Sequence, residues 1–272
     1  MQYIEVRIPV ADTAIGEILI AELSLIGYEG FVEADDHLLA YIPADVYNEQ
    51  ELVLLLGKYG LNHSTGIIAD QNWNTAWEAN FEPVIVEGFC TVRADFHRLK
   101  VDTPYEIVIT PKMSFGTGHH ATTQLMMKHM RRLDISAKNV FDFGTGTGIL
   151  AILSEMLGAA TVLAIDNDEW SSTNAKENAE RNNCKNIVIK SGSLEVTGGT
   201  YFDIILANIN RNILLMYMDD MYSRLKKGGS LLMSGLLQED RDTVQAAAEK
   251  AGFVYKSKDE LNNWIVLLFE KL

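Results

Sequence analysis

The run Asp142-Phe143-Gly144-Thr145-Gly146-Thr147-Gly148 gathers the most distinctive chemistry of this 272-residue chain into one turn. Alternate glycines let a backbone reverse sharply and approach a ligand with no Cβ in the way. The apolar run Val140 to Phe143 leads in and the apolar run Ile149 to Leu157 leads out, so the turn should join a strand to a helix. A helix N-terminus offers unpaired N–H groups and positive partial charge, which suits a carboxylate or a phosphate. Asp166 lies 22 residues beyond Gly144, directly after another apolar run. A carboxylate there can accept hydrogen bonds from both hydroxyls of a ribose. Asp168 competes for that role, but it also stands where it would cap a helix starting near Glu169.

Three more segments carry candidate chemistry. Ser191-Gly192-Ser193-Leu194 follows the next strand-like run and reads by itself as an ordinary strand-to-helix turn. Asn208 ends the apolar run Leu206-Ala207-Asn208. Its neutral amide can both donate and accept, and it stands where it could cap the helix expected from Arg211. Upstream comes Ser114-Phe115-Gly116-Thr117-Gly118-His119-His120-Ala121-Thr122-Thr123. Adjacent histidines rarely share one metal and no Cys or acid stands at ligand spacing, so no metal is expected. No Lys follows Gly118, which excludes a Walker loop.

Spacing narrows the cofactor class. A dinucleotide fingerprint is G-x-G-x-x-G. Here it is G-x-G-x-G with an acid two residues before the first glycine, which resembles motif I of the Rossmann-like, S-adenosylmethionine-dependent methyltransferases. Taken with the Phe115–Thr123 segment and the Ala207-Asn208-Ile209 strand end, the pattern closely resembles the ribosomal protein L eleven methyltransferases of the PrmA type. The resemblance covers nearly the whole chain, including an acidic N-terminal domain, a Trp-containing linker and a C-terminal Trp, here Trp264. The upstream segment is its specific part, because the glycine loop alone is shared by many unrelated enzymes.

The resemblance implies an S-adenosylmethionine-dependent protein N-methyltransferase acting on lysine side chains and the N-terminal amine of a large-subunit ribosomal protein. It implies a Rossmann-like α/β domain, with a mostly parallel sheet and an antiparallel edge, preceded by a small α+β ferredoxin-like domain that recognises the substrate. Carried across by motif, Thr123, Gly144, Asp166 and Asn208 contact the cofactor, and Phe115, Gly116, Thr117 and Gly118 lie over the same pocket. Thr145, Gly146, Ser193 and Leu194 complete the expected cofactor-binding set. A lysine ammonium has a pKa of about 10.4 in water, and an apolar slot lowers it toward the neutral nucleophile that the reaction needs. No dedicated base is obvious. His119 is the best candidate, and positioning with desolvation is the alternative.

The elements that must place these residues follow from periodicity. Strand-like runs at Tyr3 to Val10, Gly30 to Glu33, His37 to Ile42 and near Ile67 alternate with helical spacing at Thr13 to Leu25 and Asn48 to Tyr59. That order is a split βαβ, ferredoxin-like pattern. Residues 1–70 are assigned to this domain, residues 71–83, with Trp73, Trp77 and Phe81, to a linker, and residues 84–272 to the catalytic domain. There, strand-like runs begin at Val84 and Tyr105, a helix fits Thr122 to Leu133, and strands and helices then alternate to Lys250. One of those helices is expected from Arg211 to Leu225. Two strands with no helix between them close the chain, which places an antiparallel edge on a parallel sheet.

Composition limits the partners. The net charge of −14 argues against a nucleic-acid backbone as the main partner, since phosphate binding needs clustered Lys and Arg. Residues 1–70 hold twelve acids against Arg7 and Lys58, a net charge of −10. That is either a solubilising surface or a docking face for a basic protein. The two cysteines lack metal spacing, Met1 to Ile20 has no basic leader, and no apolar run reaches membrane-spanning length, so a cytoplasmic protein is expected. Competing readings are a methyltransferase acting on another protein or on RNA, a nicotinamide-dependent oxidoreductase, and a ribosome-associated binder without activity. Enzymes that methylate amides or nucleobases commonly carry Asn-Pro-Pro-Tyr at this strand end, whereas this chain has Asn208-Ile209-Asn210-Arg211.

Overall fold

The computed structural model describes residues 3–10, 13–34, 36–68, 82–110 and 118–272. The chain divides into two compact units, Met1–Asn80 and Phe81–Leu272. The aromatic connector around Trp73, Trp77 and Phe81 lies outside the described residues.

In the first unit, β1 (Tyr3–Pro9), α1 (Thr13–Leu25), β2 (Gly30–Ala34), β3 (His37–Pro43), α2 (Glu49–Gly57) and β4 (Ser64–Ile68) follow in order. The strands form an antiparallel sheet in the order β2-β3-β1-β4. Alternation sends Val6 and Ile8 of β1 and Leu38, Ala40 and Ile42 of β3 into one core with Leu19, Leu23, Leu52 and Leu56 of the two helices. Asn48 caps α2 through its side chain, and Glu49 and Glu51 in the first turn complement the helix dipole.

The second unit opens with a small sheet of β5 (Val84–Val86), β6 (Cys90–Ala94) and β7 (Tyr105–Ile109). The β6 strand is unforeseen in the sequence. Cys90, Val92 and Ala94 alternate with Thr91 and Arg93, but the run is only five residues long.

A helix, α3 (Ala121–Met130), then leads into β8 (Asn139–Phe143), α4 (Ile149–Met156), β9 (Thr161–Asp166), α5 (Glu169–Arg181), β10 (Ile187–Ser191) and β11 (Phe202–Asn208). Helices α6 (Arg211–Met216) and α7 (Met218–Arg224) precede β12 (Leu225–Leu237), and α8 (Arg241–Ala251) precedes β13 (Phe253–Leu261) and β14 (Trp264–Lys271). The seven strands pair in the order β10-β9-β8-β11-β12-β14-β13. Pairings are parallel from β10 through β12 and antiparallel at β14 and β13, as the closing strand pair anticipates.

Each central strand feeds two cores. Val140, Ile204 and Leu206 face one core with Leu125, Ile149 and Leu153, while Phe141, Ile205 and Ala207 face the other with Leu214, Met221 and Val244. The strand order reverses between β8 and β11. A crevice opens beyond the carboxyl ends of parallel strands at such a point, and Phe143, Asp166 and Asn208 are the last residues of β8, β9 and β11. The expected single helix after Arg211 is two, joined at Tyr217 (φ −102°, ψ 14°). Tyr217 is drawn to the crevice wall, where its ring meets Phe143 edge-on at 5.4 Å and its hydroxyl accepts from Ser193 Oγ at 2.9 Å. No helix among the described residues is long and apolar enough to cross a membrane.

Candidate active site

The crevice is a cleft of about 620 Å³ whose wall includes Gly144, Gly146, Asp166, Ser193, Asn208 and Trp264. The glycine loop is pinned to the neighbouring strand, because the amides of Gly144 and Thr145 both donate to the Ile165 carbonyl, at 2.9 and 2.8 Å. The loop in turn holds Asp166: the Gly146 amide donates to Oδ2 at 2.8 Å, and the Asp168 amide donates to Oδ1 at 3.0 Å. Each carboxylate oxygen keeps acceptor capacity after one such bond. Asp166 is therefore fixed in direction and still able to accept from a ligand. Asp168 is occupied elsewhere. It caps α5, accepting from the amides of Trp170 and Ser171 and from Ser171 Oγ, and these bonds to Ser171 hold its carboxyl below the usual range.

Asn208 closes the opposite wall. Its Nδ2 donates to Thr123 Oγ1 at 3.2 Å, which ties β11 to α3. Its Oδ1 is buried and has no hydrogen-bond partner among the described residues. The helix-capping role open to Asn208 falls to Asn210 instead, whose Oδ1 accepts from the Ile213 amide at 3.2 Å. Two glycines make this turn possible. A Cβ on Gly144 (φ +76°) would come within 2.2 Å of Ile209 Cγ2, and one on Gly235 (φ +84°) within 2.2 Å of the Ile209 carbonyl oxygen. Gly235 escapes the sequence reading. Its signal is an isolated glycine interrupting the apolar run Leu231 to Leu237, which marks close backbone approach.

The two histidines part company. His119 is exposed, is not in the cleft wall, and has its Nε2 2.7 Å from the Glu82 carbonyl, so the structure does not bring it to the site. His120 lines the cleft instead. It caps α3, with Nδ1 accepting from the Thr122 amide, and its ring packs edge-on against Trp264 at 4.6 Å. The start of the helix decides between these neighbours: α3 begins at Ala121, one residue ahead of the expected Thr122. Leu194 is likewise absent from the wall, being buried in the core beside Phe143 and Ile165, whereas Ser193 faces the cleft. Thr123 and Gly118 are buried, while Phe115, Gly116 and Thr117 lie outside the described residues. Among the described residues no group of His, Cys, Asp or Glu could hold a metal.

Beneath the loop, Asp142 is fully buried. Its Oδ2 accepts from Thr145 Oγ1 at 2.6 Å. Burial pushes its pKa up to about 7; hydrogen bonds from Thr145 and from the Ala151 backbone oppose the rise, and the nearby Asp166 charge adds to it.

The family model described as Ribosomal protein L11 methyltransferase (PrmA) matches residues 20–272. The chain belongs to this family. A ribosomal protein L11 methyltransferase of Porphyromonas gingivalis is 43% identical over 260 residues, covering 93% of this chain and 90% of that one. Another from Phocaeicola vulgatus is 35% identical and covers 99% of both. A crystal structure of the ribosomal protein L11 methylase of Lactobacillus delbrueckii subsp. bulgaricus matches with a TM-score of 0.65 at 30% identity, over 71% of this chain and all of that one. As a member of the L11 methyltransferase family, the protein is a methyltransferase whose methyl donor is S-adenosylmethionine. The residues present fit that cofactor. A diol can be met by the fixed Asp166 carboxylate, and Gly144 and Gly146 of the glycine loop line the cleft without side chains.

Proposed function

We propose that this protein methylates amino groups of ribosomal protein L11, at lysine side chains and at the N-terminal amine, in the cytoplasm. The observation that carries this reading is the buried, unpartnered Oδ1 of Asn208 at the end of β11. It is an acceptor for which the described residues supply no donor, and an amine N–H has the right polarity.

On this reading Asp166 accepts from the ribose hydroxyls of S-adenosylmethionine, Gly144, Thr145 and Gly146 line its methionyl end, Ser193 meets its base, and Thr123 steadies Asn208. Phe115, Gly116, Thr117 and Gly118 belong over the same pocket. The cofactor supplies a methyl group on a positively charged sulfur, open to in-line attack. The chain's share is to present a neutral amine. Asn208 Oδ1 accepts one amine N–H and so directs the lone pair. Phe143, Ile209 and Trp264 make the slot apolar, which disfavours the ammonium form and sends its proton to water before transfer. His119, held by the Glu82 carbonyl, has no part in this account.

The net charge of −10 in residues 1–70 supports docking of a basic ribosomal protein on the first unit, read as a ferredoxin-like recognition domain and joined through residues 71–83 to a catalytic domain of residues 84–272. The test is incubation with radiolabelled S-adenosylmethionine and the purified large-subunit proteins, followed by mass spectrometry. Label on lysines and the N-terminus of L11 is expected. Label confined to another protein, or to ribosomal RNA, overturns the substrate assignment.

A further inference from the structure

The second half of α5 makes contacts that the site described above does not use. Asn178 is fully buried. Its Nδ2 donates to the Thr147 carbonyl in the glycine loop at 2.9 Å, and its Oδ1 accepts from the Thr110 amide at the end of β7, also at 2.9 Å. One turn further on, Asn182 donates to the Val108 carbonyl at 2.7 Å and accepts from the Val108 amide at 2.9 Å. Val108 and Thr110 are alternate residues, so their outward backbone groups lie on one edge of β7. That edge is satisfied by two side-chain amides at helical i, i+4 spacing in place of another strand. The helix can come so near because Gly148 has no Cβ: one built there would lie 3.2 Å from Ala175 Cβ.

We infer that Asn178 is a positioning residue for cofactor binding, fixing the glycine loop to the edge of β7 so that the two move as one body. Only an amide can do this. It donates to a carbonyl on one segment and accepts from an amide on another, whereas a carboxylate lacks the donor and an aliphatic chain lacks both. Asn182 is the internal control. It is tied to β7 and to the Asn178 carbonyl, and none of these hydrogen bonds reaches the glycine loop. The inference rests on the cofactor assignment and not on the identity of the protein substrate.

The test uses the full chain and S-adenosylhomocysteine as the titrated ligand. Calorimetric affinity and thermal midpoint are compared for wild type, Asn178→Asp, Asn178→Ala and Asn182→Ala. Both Asn178 variants should bind about tenfold more weakly, the scale of one lost hydrogen bond in the loop. They should also raise KM for S-adenosylmethionine more than they lower kcat. Asn182→Ala should lower the midpoint comparably yet bind within about twofold of wild type. Equal weakening in the Asn178 and Asn182 variants, or none in either Asn178 variant, overturns the inference. Should the Asn178 variants not fold, hydrogen exchange on wild type decides: ligand must slow exchange of the Thr110 amide along with that of Gly146, and an unchanged Thr110 refutes the coupling. Failure of wild type to bind the ligand would instead refute the cofactor assignment.

Discussion

Asn in place of Asp142 should change how stability depends on pH, and the structure sets both the sign and the size. The Asp142 carboxyl has an unfolded value near 3.8 and a folded value pushed up to about 7 by burial. Between those values the folded chain holds a proton that the unfolded chain has released. The stability from this group is therefore complete below pH 3.8 and is lost as pH rises to 7. The slope is about 1.4 kcal/mol per pH unit, and the whole loss is about 4 kcal/mol. Asparagine cannot titrate. It keeps an acceptor for Thr145 Oγ1 but buries an NH₂ without a partner, a constant loss of about 1–3 kcal/mol. Urea unfolding at pH 5, 6, 7 and 8 should show the Asp142→Asn variant at its greatest disadvantage at pH 5. The difference should move by about 3 kcal/mol in the variant's favour by pH 8, passing through zero, so that the variant ends the more stable. A difference that stays constant across this range would show that Asp142 does not titrate there, and one that moves in favour of wild type would reverse the sign. Removing the Asp166 charge by Asp166→Asn should move the wild-type window to lower pH, because that charge helps to raise the Asp142 value.

Three other outcomes follow from the site. Asn208→Ala should lower kcat about 100-fold, the scale for loss of one preorganised polar contact at a reacting centre; unchanged kcat and cofactor affinity would remove Asn208 from the proposed mechanism. Gly235→Ala must place a Cβ against the Ile209 carbonyl at positive φ, so it should destabilise by about 3 kcal/mol and lower activity by shifting Asn208, as thermal unfolding and methyl-transfer rates would report. Asp45→Lys combined with Glu51→Lys, both exposed in the acidic unit, should raise KM for the ribosomal protein, less so at high salt, and leave kcat unchanged. A KM that does not respond would refute docking on that unit.

Much of the catalytic fold was legible because its decisive residues end strands. Phe143, Asp166 and Asn208 each terminate an apolar run, and a parallel sheet gathers such termini at one crevice. What could not be read depends on contacts distant in sequence or on a single helical step. Gly235 matters because Ile209, 26 residues earlier, lies against it. His120 rather than His119 enters the cleft because α3 begins at Ala121 and turns the two rings apart. Tyr217 breaks the expected helix although no glycine or proline marks the place, since its partners Phe143 and Ser193 come from two other strand ends.

The two polar side chains at the sheet's switch point differ in charge, and that difference has a chemical logic on the proposed reading. A ribose diol is neutral and can donate both hydroxyl protons, so the charged carboxylate of Asp166 serves it well, and two backbone amides keep that charge satisfied. An amine about to be methylated is in the opposite position. A carboxylate beside it would favour the ammonium ion, which has no lone pair to offer. The carboxamide of Asn208 presents an acceptor oxygen of similar geometry and bears no charge that would hold the proton. Its Nδ2, engaged with Thr123, leaves Oδ1 as the atom free to face the amine. Exchanging the two residues would leave each ligand group facing the wrong electrostatics, so their assignment to β9 and β11 is part of the chemistry and not only of the fold.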